Sequence, residues 1–157
     1  MSIGAVREYF SRFGMESRIL EFSRSSATVE LAALAAGCEP GRIAKTLSFK
    51  TPASPILIVT AGDTRVDNAL FRARFGCKAK MLRPDETEAL IGHGVGGICP
   101  FAIREGVAVY LDESLKRFST VFPACGSENS AIELSPLELE RFSCASAWVD
   151  VCRRTGQ

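Results

Sequence analysis

The stretch that most constrains the fold is PILIVTA, residues 55–61, which is apolar at odd and even positions alike. Strand side chains alternate between two faces, so a strand of this kind must be covered on both. It predicts a central strand, and the rest of the chain must supply its cover. Around it, helix and strand signals alternate from end to end. Val6, Phe10 and Phe13 share one face of a helix over residues 2–13, which Gly14 ends. A short strand is expected at 17–22. Thr28 opens a helix (VELAALAA) that Gly37 closes, and residues 43–50 (IAKTLSFK) alternate as a strand.

Asp67 caps a helix running to about residue 75, Cys77–Met81 reads as a short strand, and Pro84 suits the first turn of a helix over 84–91. Further strands are expected at 107–112, 119–122, 130–134 and 147–152, with a helical turn near 113–117. Ser135-Pro136-Leu137-Glu138 is a capping box with proline at the first helical position. About seven short strands and five helices in mixed order predict an α+β fold. Its sheet is expected to be mixed, mostly antiparallel and curved, closing partly into a barrel with flanking helices.

A chain of 157 residues is expected to form one domain, 1–157, and to bury roughly 68–70% of its unfolded surface without disulfides or metal. The net charge of +1 provides no global field toward nucleic acid or membrane. No apolar run approaches a bilayer span, and the N-terminal segment lacks a signal-peptide core, so a cytoplasmic location is expected. The six cysteines form no CxxC pair, and one histidine cannot complete the usual Cys/His zinc set.

In IAKTLSFK, Lys45 shares its face with Ile43, Leu47 and Phe49. A lysine on an apolar face either snorkels to water from the strand's first turn or opens into a pocket that binds an anion or carbonyl. GHGVGGICPFAI, residues 92–103, places four glycines in six residues ahead of Cys99 and Pro100. Gly96 and Gly97 can take positive φ and let backbone approach a ligand, so the loop is either a flexible connection or a nest of N–H donors for an oxyanion. It is neither a P-loop nor a dinucleotide fingerprint. His93 and Cys99 share this loop, but nothing in the sequence orients the imidazole for a thiol–imidazole mechanism. Gly126, Ser127 and Asn129 form a second turn that can reach the same pocket or serve only as turn residues. Arg65, Arg72, Arg74, Lys78, Lys80 and Arg83 stand against Asp67 alone over residues 65–83. They form either a phosphate-tracking face or a solvated one.

The ordered set SATVELAALAAG, AKTLSFK, GGICPF, VYLDESL and ACGSENSAIELSP resembles the YbaK/ProX-type aminoacyl-tRNA deacylases, free-standing relatives of the prolyl-tRNA synthetase editing domain. The resemblance runs from about residue 15 to 152. It implies hydrolysis of the ester joining a wrong amino acid to the tRNA 3′ adenosine, without metal or other cofactor, by a monomer or homodimer. The implied substrate is a small amino acid such as Ala or Cys on tRNA(Pro). The implied partners are the acceptor end of the mischarged tRNA and an aminoacyl-tRNA synthetase, with no membrane. The resemblance assigns catalysis to Lys45 and to the loop backbone of Gly96, Gly97, Ile98 and Cys99. It assigns substrate binding to Pro100, Asp112, Gly126, Ser127 and Asn129. Val29, Leu47 and Phe101 are the expected apolar walls, and Arg65, Arg72, Arg74, Lys78 and Lys80 the expected tRNA contacts. Some members carry a histidine near the last turn, which this chain lacks. A tRNA- or nucleotide-binding module without turnover is the alternative reading.

Overall fold

Residues 2–155 are described by the computed structural model. Helix α1 (Ser2–Ser11) buries Val6 and Phe10, and its chain turns at Gly14. A 3-10 turn (Glu16–Arg18) leads into strand β1 (Ile19–Glu21), shorter than the stretch predicted there. The Thr28 hydroxyl accepts from the Leu31 N–H at 3.2 Å and starts α2 (Val29–Ala36), which ends on left-handed Gly37. Strands β2 (Ile43–Phe49), β3 (Ile56–Ala61) and β4 (Thr64–Val66) follow. The Asp67 carboxylate accepts from the Leu70 N–H at 2.9 Å to cap α3 (Asn68–Phe75). Then come α4 (Thr87–Ile91), β5 (Ala108–Asp112), a 3-10 turn (Glu113–Arg117), β6 (Phe122–Pro123) and β7 (Ser130–Ile132). The Ser135/Glu138 capping box opens α5 (Pro136–Phe142), and β8 (Ala147–Val149) and β9 (Cys152–Arg154) complete the fold.

The central sheet runs β6-β2-β3-β5-β8. Only β2–β3 is antiparallel there, and the β2–β6, β3–β5 and β5–β8 pairings are parallel. The expectation of a mostly antiparallel sheet therefore needs correction for this sheet, although the small β1–β7 and β4–β9 sheets are antiparallel. The reason lies in the connections. β3 and β5 are joined by a crossover that carries β4, α3, α4 and the glycine loop, and a crossover of that length permits parallel pairing. Antiparallel bridges Val121↔Leu134 and Ala124↔Ala131 bend the β6 edge onto β7 and β1. Among the described residues no pairing joins β8 back to β1, so the strand order stays open.

β3 is buried along its whole length, as PILIVTA predicts. Leu57, Val59 and Ala61 face the main core with Val6 and Phe10 of α1, and Ile56 and Ile58 face a second cluster around Phe71 of α3. Ile43 joins a third cluster with Ala32 and Ala33 of α2. Lys45 therefore sits on β2 between two apolar clusters, and two helices meet the sheet on either side of it.

Other predicted elements differ as well, and the strand expected at 119–122 forms only at Phe122–Pro123. Residues 77–81 form no strand, and only Met81 bridges to Phe49. The helix predicted at 84–91 begins at Thr87 because residues 83–86 make a turn, with Glu86 N–H donating to Arg83 O at 3.0 Å. The strand predicted at 147–152 is broken at Val151, whose N–H donates to the Asp112 carboxylate at 3.0 Å. That bond turns the chain out of the central sheet, and β9 pairs instead with β4.

Candidate functional site

The site originates in an interrupted strand edge. β6 pairs with β2 only at Ile43 and Ala44. Farther along the same strand, Leu82 N–H donates to Ser48 O and Lys50 N–H to Lys80 O. Between these two covers, at residues 45–47, the sheet edge opens. A cleft of about 150 Å³ fills this gap, walled by Val29 and Ala32 of α2, Lys45 and Thr46 of β2, and Gly96 and Ile98 of the glycine loop. Phe122, Ala124, Ser130 and Ala131 complete its lining.

Lys45 is half-buried, and its Nζ donates to the backbone carbonyl of Thr64 on β4. Burial lowers its pKa from the ordinary lysine value, and Cys152, Asp63 and Glu30 oppose that shift. Its cross-strand neighbour is Thr60, whose buried hydroxyl has no partner among the described residues. The ammonium is thus a positioned charge at the cleft wall, held by one neutral acceptor.

In the glycine loop, Gly96 takes the positive φ expected of it (91°) and lines the cleft. Gly97 does not take positive φ, and its N–H donates to Gly94 O at 3.1 Å, so this donor serves the turn and is not free for an oxyanion. Gly97 is needed for another reason. A Cβ there would stand 2.7 Å from the backbone C and O of Gly126 and 2.8 Å from Ser127 N. The two glycine turns predicted from sequence are therefore packed backbone to backbone. Gly126 (φ 91°) is in turn backed by Ser2, whose hydroxyl donates to Gly126 O.

Several predicted site residues lie elsewhere. Leu47 packs with the Phe71 cluster, and Phe101 is buried in the main core, its ring 4.8 Å from that of Phe10, so neither is a cleft wall. Pro100 lines a separate groove beside Tyr9 and Phe142. The buried Asp112 carboxylate accepts from Ser114 N–H at 2.9 Å and from Val151 N–H, which makes it an anchor for the chain around the sheet. The Cys99 side chain is fully buried, and burial pushes its thiol up to about 12. The Ser127 hydroxyl bonds Ser130 Oγ at 2.6 Å, and Asn129 Nδ2 donates to Phe22 O at 3.0 Å, so both set the turn that places Ser130 in the cleft wall.

Arg65, Arg72, Arg74, Lys78 and Lys80 are all exposed. Arg65 follows Thr64, the residue that holds Lys45, and lies opposite Arg153 across the β4–β9 pairing. Arg153 itself bonds Asp67 at 2.6 Å, which neutralises the one acidic residue of segment 65–83 that sequence shows. Arg74 lies over the Phe75 and Tyr110 rings. Sequence patterning does not single out Thr46, Phe122, Ala124, Ser130 or Ala131, whose place in the cleft depends on pairings remote in the chain. Among the described residues no group of three or more His, Cys, Asp or Glu side chains is placed to hold a metal, and no helix is long and apolar enough to cross a membrane.

The chain matches known proteins over most of its length. It is 53% identical over 154 residues to the uncharacterized protein YwhH of Bacillus subtilis (strain 168), covering 98% of each. A solved structure described as a candidate trans-editing enzyme for prolyl-tRNA synthetase superposes with a TM-score of 0.87 at 27% identity, covering 97% of both chains. The hypothetical protein APE2540 superposes with a TM-score of 0.84 at 29% identity, covering 95% of this chain and 99% of the other. The aminoacyl-tRNA editing domain matches residues 23–142, which span α2, the open edge of β2, the glycine loop and the 126–130 turn. With the cleft and both of its glycine turns inside that match, the chain belongs to the aminoacyl-tRNA editing domain family.

Proposed function

We propose that this protein is a trans-editing deacylase that hydrolyses the ester of a mischarged aminoacyl-tRNA carrying a small amino acid, such as Ala or Cys on tRNA(Pro). The observation that carries this reading is the size and make-up of the cleft. At about 150 Å³ it is well below the roughly 300–1,000 Å³ of pockets that engulf a cofactor or drug-sized ligand. It admits an aminoacyl group and leaves the nucleotide outside. This favours the deacylase over a nucleotide-binding module. Val29, Ala32, Ile98 and Ala131 give it short apolar walls, and Lys45 gives it one cation.

The ester is already activated, so the chain needs no strong nucleophile of its own. A water oxygen, placed with help from the neighbouring ribose hydroxyl, adds to the ester carbonyl carbon, and the carbonyl oxygen takes the negative charge. Backbone N–H groups at Gly96 and Ile98 are the donors for that charge. The C–O bond to the ribose then breaks, and the ribose oxygen leaves with the proton given up by the nucleophile. Lys45 holds the carbonyl or the terminal phosphate by exchanging its bond to Thr64 O for one to substrate. Discrimination by such walls is worth roughly 1–3 kcal/mol per methylene, so the synthetase or the tRNA body adds selectivity. Arg65, Arg72, Arg74, Lys78 and Lys80 contact tRNA phosphates, and the protein acts as one domain in the cytoplasm.

The test is turnover on a panel of mischarged tRNAs, with native protein and Lys45→Ala. Release of a small amino acid by native protein, lost by at least 100-fold in a folded Lys45→Ala, is the expected result. Binding of tRNA without release of any amino acid sinks the deacylase in favour of the binding module.

A further inference from the structure

His93 is the single histidine of the chain, and the mechanism above does not use it. It stands immediately after Gly92, which closes α4, at the entrance of the glycine loop. The ring is wholly buried. Nε2 lies 2.6 Å from Phe101 O, so that nitrogen carries the hydrogen and donates it. Cys99 Sγ lies 3.4 Å from the same nitrogen and 3.7 Å from the same carbonyl. Nδ1 is buried and has no partner among the described residues.

This geometry supplies what orients the imidazole, and it does so in the wrong sense for a thiol–imidazole mechanism. A base must present a lone pair to the thiol, whereas the nitrogen nearest Cys99 is already committed as a donor to a carbonyl. The contact instead joins residue 93 to residues 99 and 101 and closes the glycine loop into a ring. Within that ring lie the Gly94–Gly97 turn and the two cleft residues, Gly96 and Ile98. Three glycines within the ring make this segment costly to hold in one conformation. A core position occupied by a group with an unpaired buried nitrogen also costs stability that an apolar side chain of equal bulk would not.

We propose that His93 is a positioning residue for deacylation: its Nε2–H, donated to Phe101 O, holds the glycine loop closed so that Gly96 and Ile98 face the cleft. The proposal rests on the deacylase reading for its kinetic consequence but not for its structural one. His93→Leu keeps bulk and removes the donor, and His93→Gln keeps an N–H near the Nε2 position. With the mischarged tRNA that native protein turns over fastest, kcat should fall at least 10-fold in His93→Leu with KM within about 2-fold of native. His93→Gln should recover most of that loss, although both variants melt within a few degrees of each other. A native kcat in His93→Leu, or equal losses in the two variants, overturns the proposal.

A structural arm separates the failure of this proposal from failure of the deacylase reading. In native protein, ¹⁵N spectra of the imidazole should show the Nε2–H tautomer at neutral pH. Amide exchange at Gly96 and Ile98 should be faster in His93→Leu than in His93→Gln. A native Nδ1–H tautomer, or unchanged exchange, overturns the clamp even if turnover is never found. If His93→Leu does not fold, the tautomer and the exchange of His93→Gln against native decide the matter. Near-native exchange in His93→Gln supports the clamp, and loop exchange no slower than that of an exposed segment overturns it.

Discussion

Replacing Gly97 with alanine is the most informative single change, because structure and sequence expect different things of it. A loop glycine valued only for positive φ would pay in conformational energy. Gly97 has no positive φ, so its cost is steric. The new Cβ would lie 2.7 Å from Gly126 C and O, and ordinary contact begins near 3.4 Å, so the two turns must separate by about 0.7 Å. Every atom it meets is backbone. Gly126 cannot retreat, since a Cβ placed on it would itself stand 2.8 Å from Ser2 C and O. Overpacking of this kind costs about 1–3 kcal/mol, and with no flexible side chain to yield the upper part of that range is expected. At about 2–4 °C per kcal/mol for a chain of this size, Tm should drop by about 4–12 °C.

Activity should suffer too, because the same displacement shifts the two adjoining turns that carry Ile98 and Ser130 into the cleft wall. A misplacement approaching 1 Å can cost on the order of 100-fold in rate, so a 10- to 100-fold loss in kcat is expected at a temperature where the variant is folded. Gly106→Ala is the control. Gly106, unlike Gly97, has positive φ (88°), and a Cβ there meets nothing within 4 Å. It should lose about 1–2 kcal/mol from backbone strain and keep its rate. Thermal melts and single-turnover deacylation on the two variants decide the point. A Gly97→Ala protein with native Tm would refute the backbone contact. One with lowered Tm and native kcat would refute the idea that the two turns position the reacting groups.

Two further outcomes follow from charge. If the exposed basic face tracks tRNA phosphates, log affinity should fall steeply with log salt, and Arg72→Glu with Arg74→Glu should flatten that slope by about 1.5–2, whereas an unchanged slope would leave the face merely solvated. Burial lowers the His93 pKa, so below about pH 6.5 the unfolded chain binds a proton that the folded chain does not. Stability should therefore decrease as pH falls through that window, by up to about 1.4 kcal/mol per pH unit until the folded-state pKa is reached. Urea melts at pH 7.5 and 5.5 should show this loss in native protein and not in His93→Gln, and equal losses in both would assign it to other groups.

The fold was legible wherever a local pattern carried it. PILIVTA gave the central strand because burial on both faces leaves a continuous apolar run, and Thr28, Asp67 and Ser135 gave helix starts because each cap is a bond within three residues. What escaped was set at long range. β4 is three residues long and exists because β9 pairs with it, and β9 leaves the central sheet because a carboxylate 39 residues away takes the Val151 N–H. A continuous apolar run shows burial on both faces but not the direction of its neighbours, and β3 pairs antiparallel with β2 and parallel with β5, so the parallel pairings could not be read from period alone.

The site divides along the same line, and its division says where its chemistry is determined. Lys45 was visible because a charge on an apolar strand face breaks a two-residue rhythm, and Gly96 because a run of glycines marks backbone that must take unusual φ or come close to a neighbour, though the run alone reads equally as a flexible connection. The residues that make Lys45 a cleft lysine rather than a snorkelling one show no such break. They are Ile43 and Ala44, where β6 stops pairing, and Ser48 and Lys50, where the 80–82 segment starts. The gap between them is a property of two pairings to remote segments, and it is the gap that turns one strand edge into a cavity. Gly97 shows the complementary case. Sequence marks it correctly as a glycine that must stay one, and gives the wrong reason, because the atom that excludes a side chain belongs to a turn 29 residues farther along. The two turns are thus one physical unit, and Asn129 and His93 serve that unit as anchors, whereas Asp112 anchors the chain around the sheet. Substitutions that change the amino acid accepted should fall on Val29, Ala32, Ile98 and Ala131. Substitutions that abolish the site should fall on the glycines and on the residues that hold them.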